Sequence, residues 1–430
     1  MSLTLPLELS PCNNVRRTCE SLMNDDTNTD KIVTIDKREL KKLANEICQS
    51  IEKNKKKKKK KNDDSSSPAI VEWDEEGWHY TGMDYQRPYL RNNDGSDSEE
   101  ERQRIERVAL YVLALDSINF CFWPSSSNND NNPLEYEHLA MALQRMACID
   151  DIPPTNNNDN KKNCLEETSK DESKCKNVTN GIRIIQAEDS YAFSPQRLCQ
   201  LTPDIFIKQL QPHLPSSFNT NDNGGDDTTS HYELDNIKER VRLLRELGHG
   251  LLHHYHGSAS YMISQAHRRA DSLVHILTSN FPGFRDSSIA PSNGTQIFFY
   301  KRAQICVGDL WASLHTSCHA CNFIDMAKLT TFADYRIPQL LTTMGVLKYS
   351  QHLHTLVHSN TILPPGSNYE VYIRAATVVT VELLVKELQQ TYNIHTMTAV
   401  KLDWYLWQLG EKCHQQHQLH PFHKVKTIFY

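Results

Sequence analysis

The sequence predicts a mainly α-helical fold. It reads as one helical domain over residues 1–430, with a few short strands and long polar loop insertions. Three observations predict this. Apolar residues recur at three- and four-residue spacing over long stretches. Strand signals are scarce, and no fixed-period repeat is visible. Hydrophobic residues make up only 38% of the chain, but the polar excess is gathered into four runs. The rest keeps enough apolar surface for a large core.

The elements can be taken in order. IVTI at 32–35 reads as a short strand. Residues 38–51 (RELKKLANEICQSI) place Leu40, Leu43, Ile47 and Ile51 at helical spacing. The amphipathic run RVALYVLALDSI leads into NFCFWP, Asn119 to Pro124. In 237–255, Ile237, Val241, Leu244, Leu247 and Leu251 form one stripe. QIFFY at 296–300 is the second strand, and KRAQICVGDLWASLH at 301–315 fits a helix. Pro338 suits the first turn of a helix, PQLLTTMGVL, because its missing N–H is not needed there. Ile337, before the proline, is expected outside that helix. A further helix spans 369–390, with Glu370 and Arg374 as i,i+4 partners.

The four insertions are 53–67, 125–133, 155–180 and 219–230, rich in Asn, Asp, Ser and Lys. They hold too few apolar residues to offset the entropy of ordering, so disorder is expected. The first contains seven consecutive lysines, Lys55 to Lys61. Such a run is a solvated loop, a nuclear address or an anion patch.

Charge and composition exclude several classes. A net charge of -6 gives no general reason for nucleic-acid binding. No apolar run approaches the roughly 18 residues that a membrane span needs. The N-terminus lacks a basic stretch followed by a long apolar core, so no signal peptide is expected. Twelve cysteines in 430 residues suit free thiols. The chain therefore reads as cytoplasmic, with the lysine run as a route to the nucleus. With 15 glycines and no P-loop or dinucleotide fingerprint, phosphate would be held by side chains and helix N-termini.

Candidate chemistry is spread over several stretches. HTSCHAC (His315 to Cys321) and CHQQHQLHPFH (Cys413 to His423) are rich in metal-ligand types. Neither has a second ligand pair at defined spacing, so no metal is expected. In NFCFWP, Phe120, Phe122 and Trp123 either fill core or form a wall on which a planar base stacks. The helix from 301 contributes Lys301, Arg302 and Asp309. An aspartate beside Leu310 and Trp311 on a core helix is either functional or part of a structural ion pair. TFADYRIPQLL, Thr331 to Leu341, places Asp334, Tyr335 and Arg336 together just before a helix. The helix dipole and Arg336 favour a charged Asp334. Such a residue is a helix cap, or a carboxylate that stabilises an oxocarbenium ion or orients water.

FADYRIPQ (332–339), YKRAQICVGDLW (300–311), NFCFW (119–123), FPGFRD (281–286) and ERVRLLRELG (239–248) together resemble the queuosine salvage proteins. The opening at 15–47, EVYIRAATVVTVELL at 370–384 and HPFHKVKTIFY at 420–430 extend the resemblance to nearly everything outside the insertions. Two stretches depart from the pattern: the closing segment lacks the arginines usual there, and 255–275 is shifted from the usual small-residue pattern, with His253, His254, His267 and Arg268 adding polarity in and beside it.

The resemblance implies an N-glycosidase that hydrolyses queuosine 5′-phosphate and releases queuine, a 7-deazaguanine base, for re-insertion into tRNA by another enzyme. It implies a helical fold similar to DNA glycosylases, with no metal and no other cofactor. In that reading Asp334 and Asp309 are catalytic. Phe120, Phe122, Trp123, Lys301, Arg302, Tyr335 and Arg336 bind the nucleotide, with Lys301, Arg302 or Arg336 meeting its phosphate. The partner is a small-molecule nucleotide. No stable nucleic-acid complex and no membrane contact are expected, and the chain is expected to be a monomer. A non-catalytic queuine, nucleoside or tRNA binder is the alternative. A DNA-repair glycosylase is disfavoured by the acidic net charge.

Overall fold

The computed structural model describes residues 10–25, 31–60, 99–123, 136–147, 178–179, 182–183, 191–214 and 234–430. Expected insertions 125–133 and 219–230 lie outside the described residues, as do 61–67 and most of 155–180. Pro124 lies outside them as well.

The described chain is helical with short strand pairs. It opens with α1 (Pro11–Met23), β1 (Val33–Ile35), α2 (Lys37–Lys60), α3 (Glu99–Ser117) and α4 (Tyr136–Ala147). Then come β2 (Val178–Thr179), β3 (Ile182–Arg183), α5 (Pro195–Gln200), α6 (Pro203–Leu210) and α7 (Ile237–Tyr255). The middle holds α8 (Ala259–Ser264), α9 (Ala270–Asn280), β4 (Ser287–Ile289), β5 (Gln296–Phe298) and α10 (Lys301–Leu314). The last part contains α11 (Arg336–Thr343), β6 (Leu347–Tyr349), α12 (Gln351–His358), β7 (Ile362–Leu363), α13 (Asn368–Gln390), α14 (Ala399–Gln415) and β8 (Lys424–Val425).

Local chemistry explains many of the boundaries. Ser10, Thr202, Ser350, Ser367 and Thr398 each accept a first-turn N–H and so start a helix. Prolines at the first helical position strengthen α1, α5 and α6. The helix expected over 38–51 continues into the lysine run, because nothing in its sequence stops it before Lys60.

Two apolar clusters form the core. One is built mainly from α3 to α10. The other gathers α1, α2 and α11 to α14. The antiparallel pair β1–β6 (Val33 opposite Tyr349) and the parallel pair β7–β8 (Leu363 opposite Val425) tie distant parts of the chain together. Helix α14 straddles the seam. Its Val400 and Trp404 belong to the first cluster, its Leu402 and Leu406 to the second.

Candidate active site at the seam

A cavity of about 250 Å³ opens at this seam. That is close to the lower end of the range of about 300–1,000 Å³ typical of small-molecule sites. Its wall is assembled from the α10 N-terminus, the 332–336 stretch, the 119–123 loop, α14 and the 422–430 tail.

Asp286, in the FPGFRD stretch, organises one side. Its Oδ2 accepts the backbone N–H of Lys301 at 3.0 Å and so caps α10. Arg374 of α13 closes a two-pronged pair with the same carboxylate, at 2.9 and 2.6 Å. The Arg374 Nε–H also donates to the Ala333 carbonyl at 3.0 Å. Its guanidinium lies over the Phe299 and Tyr430 rings. Glu370 stands 3.8 Å away, one helical turn earlier. Five stretches that carry the resemblance therefore meet at one buried point.

The Asp334 stretch is held from three helices. On α10, Gln304 accepts from the Thr330 N–H at 2.8 Å and donates to Thr330 Oγ1 at 2.8 Å. On α14, Asp403 Oδ1 accepts the Phe332 N–H at 2.7 Å and the Thr331 hydroxyl. Arg374 of α13 takes the Ala333 carbonyl. Asp334 then uses Oδ1 to accept the N–H groups of Arg336 (2.9 Å) and Ile337 (3.2 Å). This cap draws Arg336 and Ile337 into α11. The sequence expectation that Ile337 lies outside the helix is therefore corrected. The clash that disfavours a helical residue before proline is outweighed by two capping bonds, and Pro338 still falls where its N–H has no helical partner. Asp334 is a cap and a cavity residue at once.

Lys301 and Arg302 are neighbours with different settings. Lys301 is 5% exposed, lines the cavity, and its Nζ lies 3.5 Å from the Asn119 carbonyl. Burial lowers its pKa, while Asp334, Asp116 and Asp403 act in the opposite direction. Arg302 is 1% exposed and is not among the cavity residues. It donates to the main-chain carbonyls of Ser117, Asp116 and Gly283. Arg240 of α7 does the same for Ile118, Phe120 and Cys121. These two arginines shape the 117–121 backbone from below. Asp309 is likewise behind the wall. It is fully buried beside Asp116, whose carboxyl burial pushes up to about 7.

The aromatic residues divide the same way. Phe120 is 1% exposed, with the Arg240 and Arg302 guanidiniums 4.4 and 5.5 Å from its ring centre. Phe122 meets Tyr136 edge-on at 5.5 Å, and Tyr335 packs on Phe422 at 4.8 Å. Trp123 faces Lys424, whose Nζ stands 5.9 Å from its ring centre. Arg336 pairs with Glu411 at 2.6 Å and Gln339 at 2.7 Å. All of these except Arg240, Arg302 and Gln339 line the cavity.

Sequence reasoning missed a whole wall. Asp403, Trp404, Trp407, Glu411 and His414 of α14 all face the cavity. Their spacing of one, three, four and three puts them on one helical face. Such a stripe of acids and large rings was readable in KLDWYLWQLGEKCH. Asp403 is 3% exposed, and burial pushes its carboxyl up to about 7. Lys424 was also missed, inside the closing stretch already singled out.

A family model described as "Queuosine salvage protein" matches residues 99–430. A Dictyostelium discoideum protein named queuosine 5′-phosphate N-glycosylase/hydrolase is 32% identical over 358 residues, 83% of this chain and 85% of that protein. Proteins of the same name from Sphaerobacter thermophilus and Bos taurus are 41% and 36% identical over 198 and 200 residues. Those two alignments span 46% and 45% of this chain, and 59% and 58% of the relatives.

Proposed function

The chain belongs to the queuosine salvage protein family, and from that premise we propose that it hydrolyses the N-glycosidic bond of queuosine 5′-phosphate and releases queuine. The observation that carries the reading is the pairing of Asp334 and Asp403 on the wall of one ring-lined cavity.

Cleavage makes a cationic, oxocarbenium-like sugar and leaves electrons on a deazapurine nitrogen. The first needs a carboxylate, and the second needs a proton. Both capping bonds of Asp334 end on Oδ1, so Oδ2 faces the sugar, balances its charge and orients the attacking water. Both bonds to Asp403 likewise end on Oδ1. With its pKa near 7, Asp403 holds a proton on Oδ2 for the departing base. Water supplies hydroxide to the sugar carbon, and its second proton restores the acid.

Lys301, set among Asp334, Asp116 and Asp403, keeps these carboxylates in register. The base stacks against Phe122, Trp123 and the α14 tryptophans. The 5′-phosphate lies toward Lys424 and Arg336, and Tyr335 packs beside the sugar. Asp309 and Arg302 have no substrate contact in this reading. They support the 116–121 backbone that carries the rings.

Incubation with queuosine 5′-phosphate, followed by chromatography, is expected to yield free queuine and ribose 5-phosphate in equal amounts. Binding of the nucleotide with no release of base would overturn the hydrolase reading in favour of a binding protein.

A further inference from the structure

Helix α12 carries a feature the proposed reaction does not use. His354 and His358 are exposed, one helical turn apart, with ring centroids 3.8 Å apart. Their spacing is the one that lets two imidazoles share a cation on a helix face. His358 Nδ1 lies 2.9 Å from the His354 carbonyl. A carbonyl only accepts, so Nδ1 carries the hydrogen, and the neutral ring has its lone pair on Nε2. That arrangement, a ring fixed by a bond to a backbone carbonyl, is the usual support of a metal-bound histidine. A third imidazole, His420, stands 6.0 Å from His358, centroid to centroid.

We propose that His354 and His358 form a surface site for a late first-row divalent cation, with His420 closing on it as a third ligand. Among the described residues no three such side chains already stand at ligand geometry, so loading has to turn and part these rings. At metal–nitrogen distances of about 2.0–2.1 Å, two imidazoles sharing a cation have centroids roughly 4.5–5 Å apart. The stacked pair, 21° between planes, tilts until its Nε2 lone pairs converge and opens by about an ångström, and His420 moves in by about the same amount, all from exposed positions.

The bridge would cross two parts of the fold. The main chain of His420 is bonded to α11, accepting from Gln339 Nε2 at 2.6 Å and donating to Thr343 Oγ1 at 3.0 Å. Beyond it the chain reaches β8, which pairs with β7 just after α12. A bound cation ties α12 to this segment.

The test is titration of the full chain with Cu²⁺, Ni²⁺ and Zn²⁺ chlorides, followed by calorimetry and thermal melting. One equivalent is expected, tightest for Cu²⁺, with a rise in melting temperature. His354→Gln and His358→Gln each weaken binding at least tenfold, and His420→Gln several-fold. The other i,i+4 pair within one described helix, His249 and His253 of α7, has rings 6.3 Å apart, and its double Gln variant binds like the parent. Coupling to two or three imidazole nitrogens in the Cu²⁺ spin-resonance spectrum checks the site without any substitution. Unchanged affinity in His354→Gln and His358→Gln, loss of binding in the His249/His253 variant, or a spectrum lacking imidazole nitrogen overturns the proposal. Unchanged affinity in His420→Gln overturns the third ligand.

Discussion

Arg374 and Arg336 each meet a carboxylate at 2.6 Å, yet the two pairs sit in different worlds. The Arg374–Asp286 pair is behind the cavity, with side chains 1% and 2% exposed. The Arg336–Glu411 pair is at the cavity wall, with side chains 11% and 23% exposed. Around Arg374 every donor is aimed at the protein itself: a carboxylate, a carbonyl and two ring faces. Around Arg336, solvent and a ligand can still compete. The difference shows how one residue type serves two ends. The deep pair fixes where α10, α13 and the Asp334 stretch stand relative to one another. The shallow pair leaves adjustable charge where a nucleotide would enter.

Breaking the deep pair should have the largest effect on stability. Arg374→Met strands the Asp286 carboxylate in the core, and a loss of about 3–5 kcal/mol in chemical denaturation is expected. A loss below about 1 kcal/mol would mean that the pair is not what joins the two clusters.

Next comes Asp403. Its folded carboxyl is raised to about 7, against about 3.9 in an unfolded chain. Between about pH 4 and 7 the native state therefore keeps a proton that the unfolded state has lost. The contribution of this group to stability falls as pH rises through that window, by up to about 1.4 kcal/mol per unit, and is flat above it. Asp403→Asn should flatten this slope, leaving the similar share of Asp116. It should also lower base release about 100-fold and abolish the decline in rate above about pH 7. A variant that keeps that alkaline limb would exclude Asp403 as the acid.

The shallow region predicts smaller effects. Lys424→Met should raise KM about tenfold, near 1.4 kcal/mol, with little change in kcat. An unchanged KM would move the phosphate elsewhere. Gly410→Ala is the finest probe. A Cβ there would lie 3.2 Å from Arg336 Cγ. The usual gain of about 0.5–1 kcal/mol for alanine in a helix should be offset by this crowding, giving a net change near zero and a few-fold rise in KM. Full recovery of the helix gain in a melt would show that Arg336 yields freely.

The same contrast explains what the sequence revealed. Helix 237–255 was legible to the residue because its leucine stripe and its ends are local features. Asp334 was legible as a candidate because cap, proline and neighbouring arginine all lie within five residues. Asp309 and Arg302 drew attention for a sound reason, since charges on a core helix need partners. Their partners, Asp116 and the 116–117 and Gly283 carbonyls, are far away in the chain, and nothing local reports them. The α14 wall was within reach: its stripe has helical spacing, but acids between tryptophans resemble an ordinary amphipathic helix until the seam is seen. The two-residue strands β7 and β8 exist only through their pairing, so no local pattern could announce them.

The central claim rests on Asp334, and one paired measurement on Asp334→Asn tests it most directly. Asparagine can still accept the capping bonds at Oδ1, so the melting temperature should stay within a few degrees of the parent and the nucleotide should still bind. Release of queuine from queuosine 5′-phosphate should fall about 1,000-fold or more, near 4 kcal/mol of lost transition-state stabilisation. A stable variant that releases base at the parental rate would contradict the account.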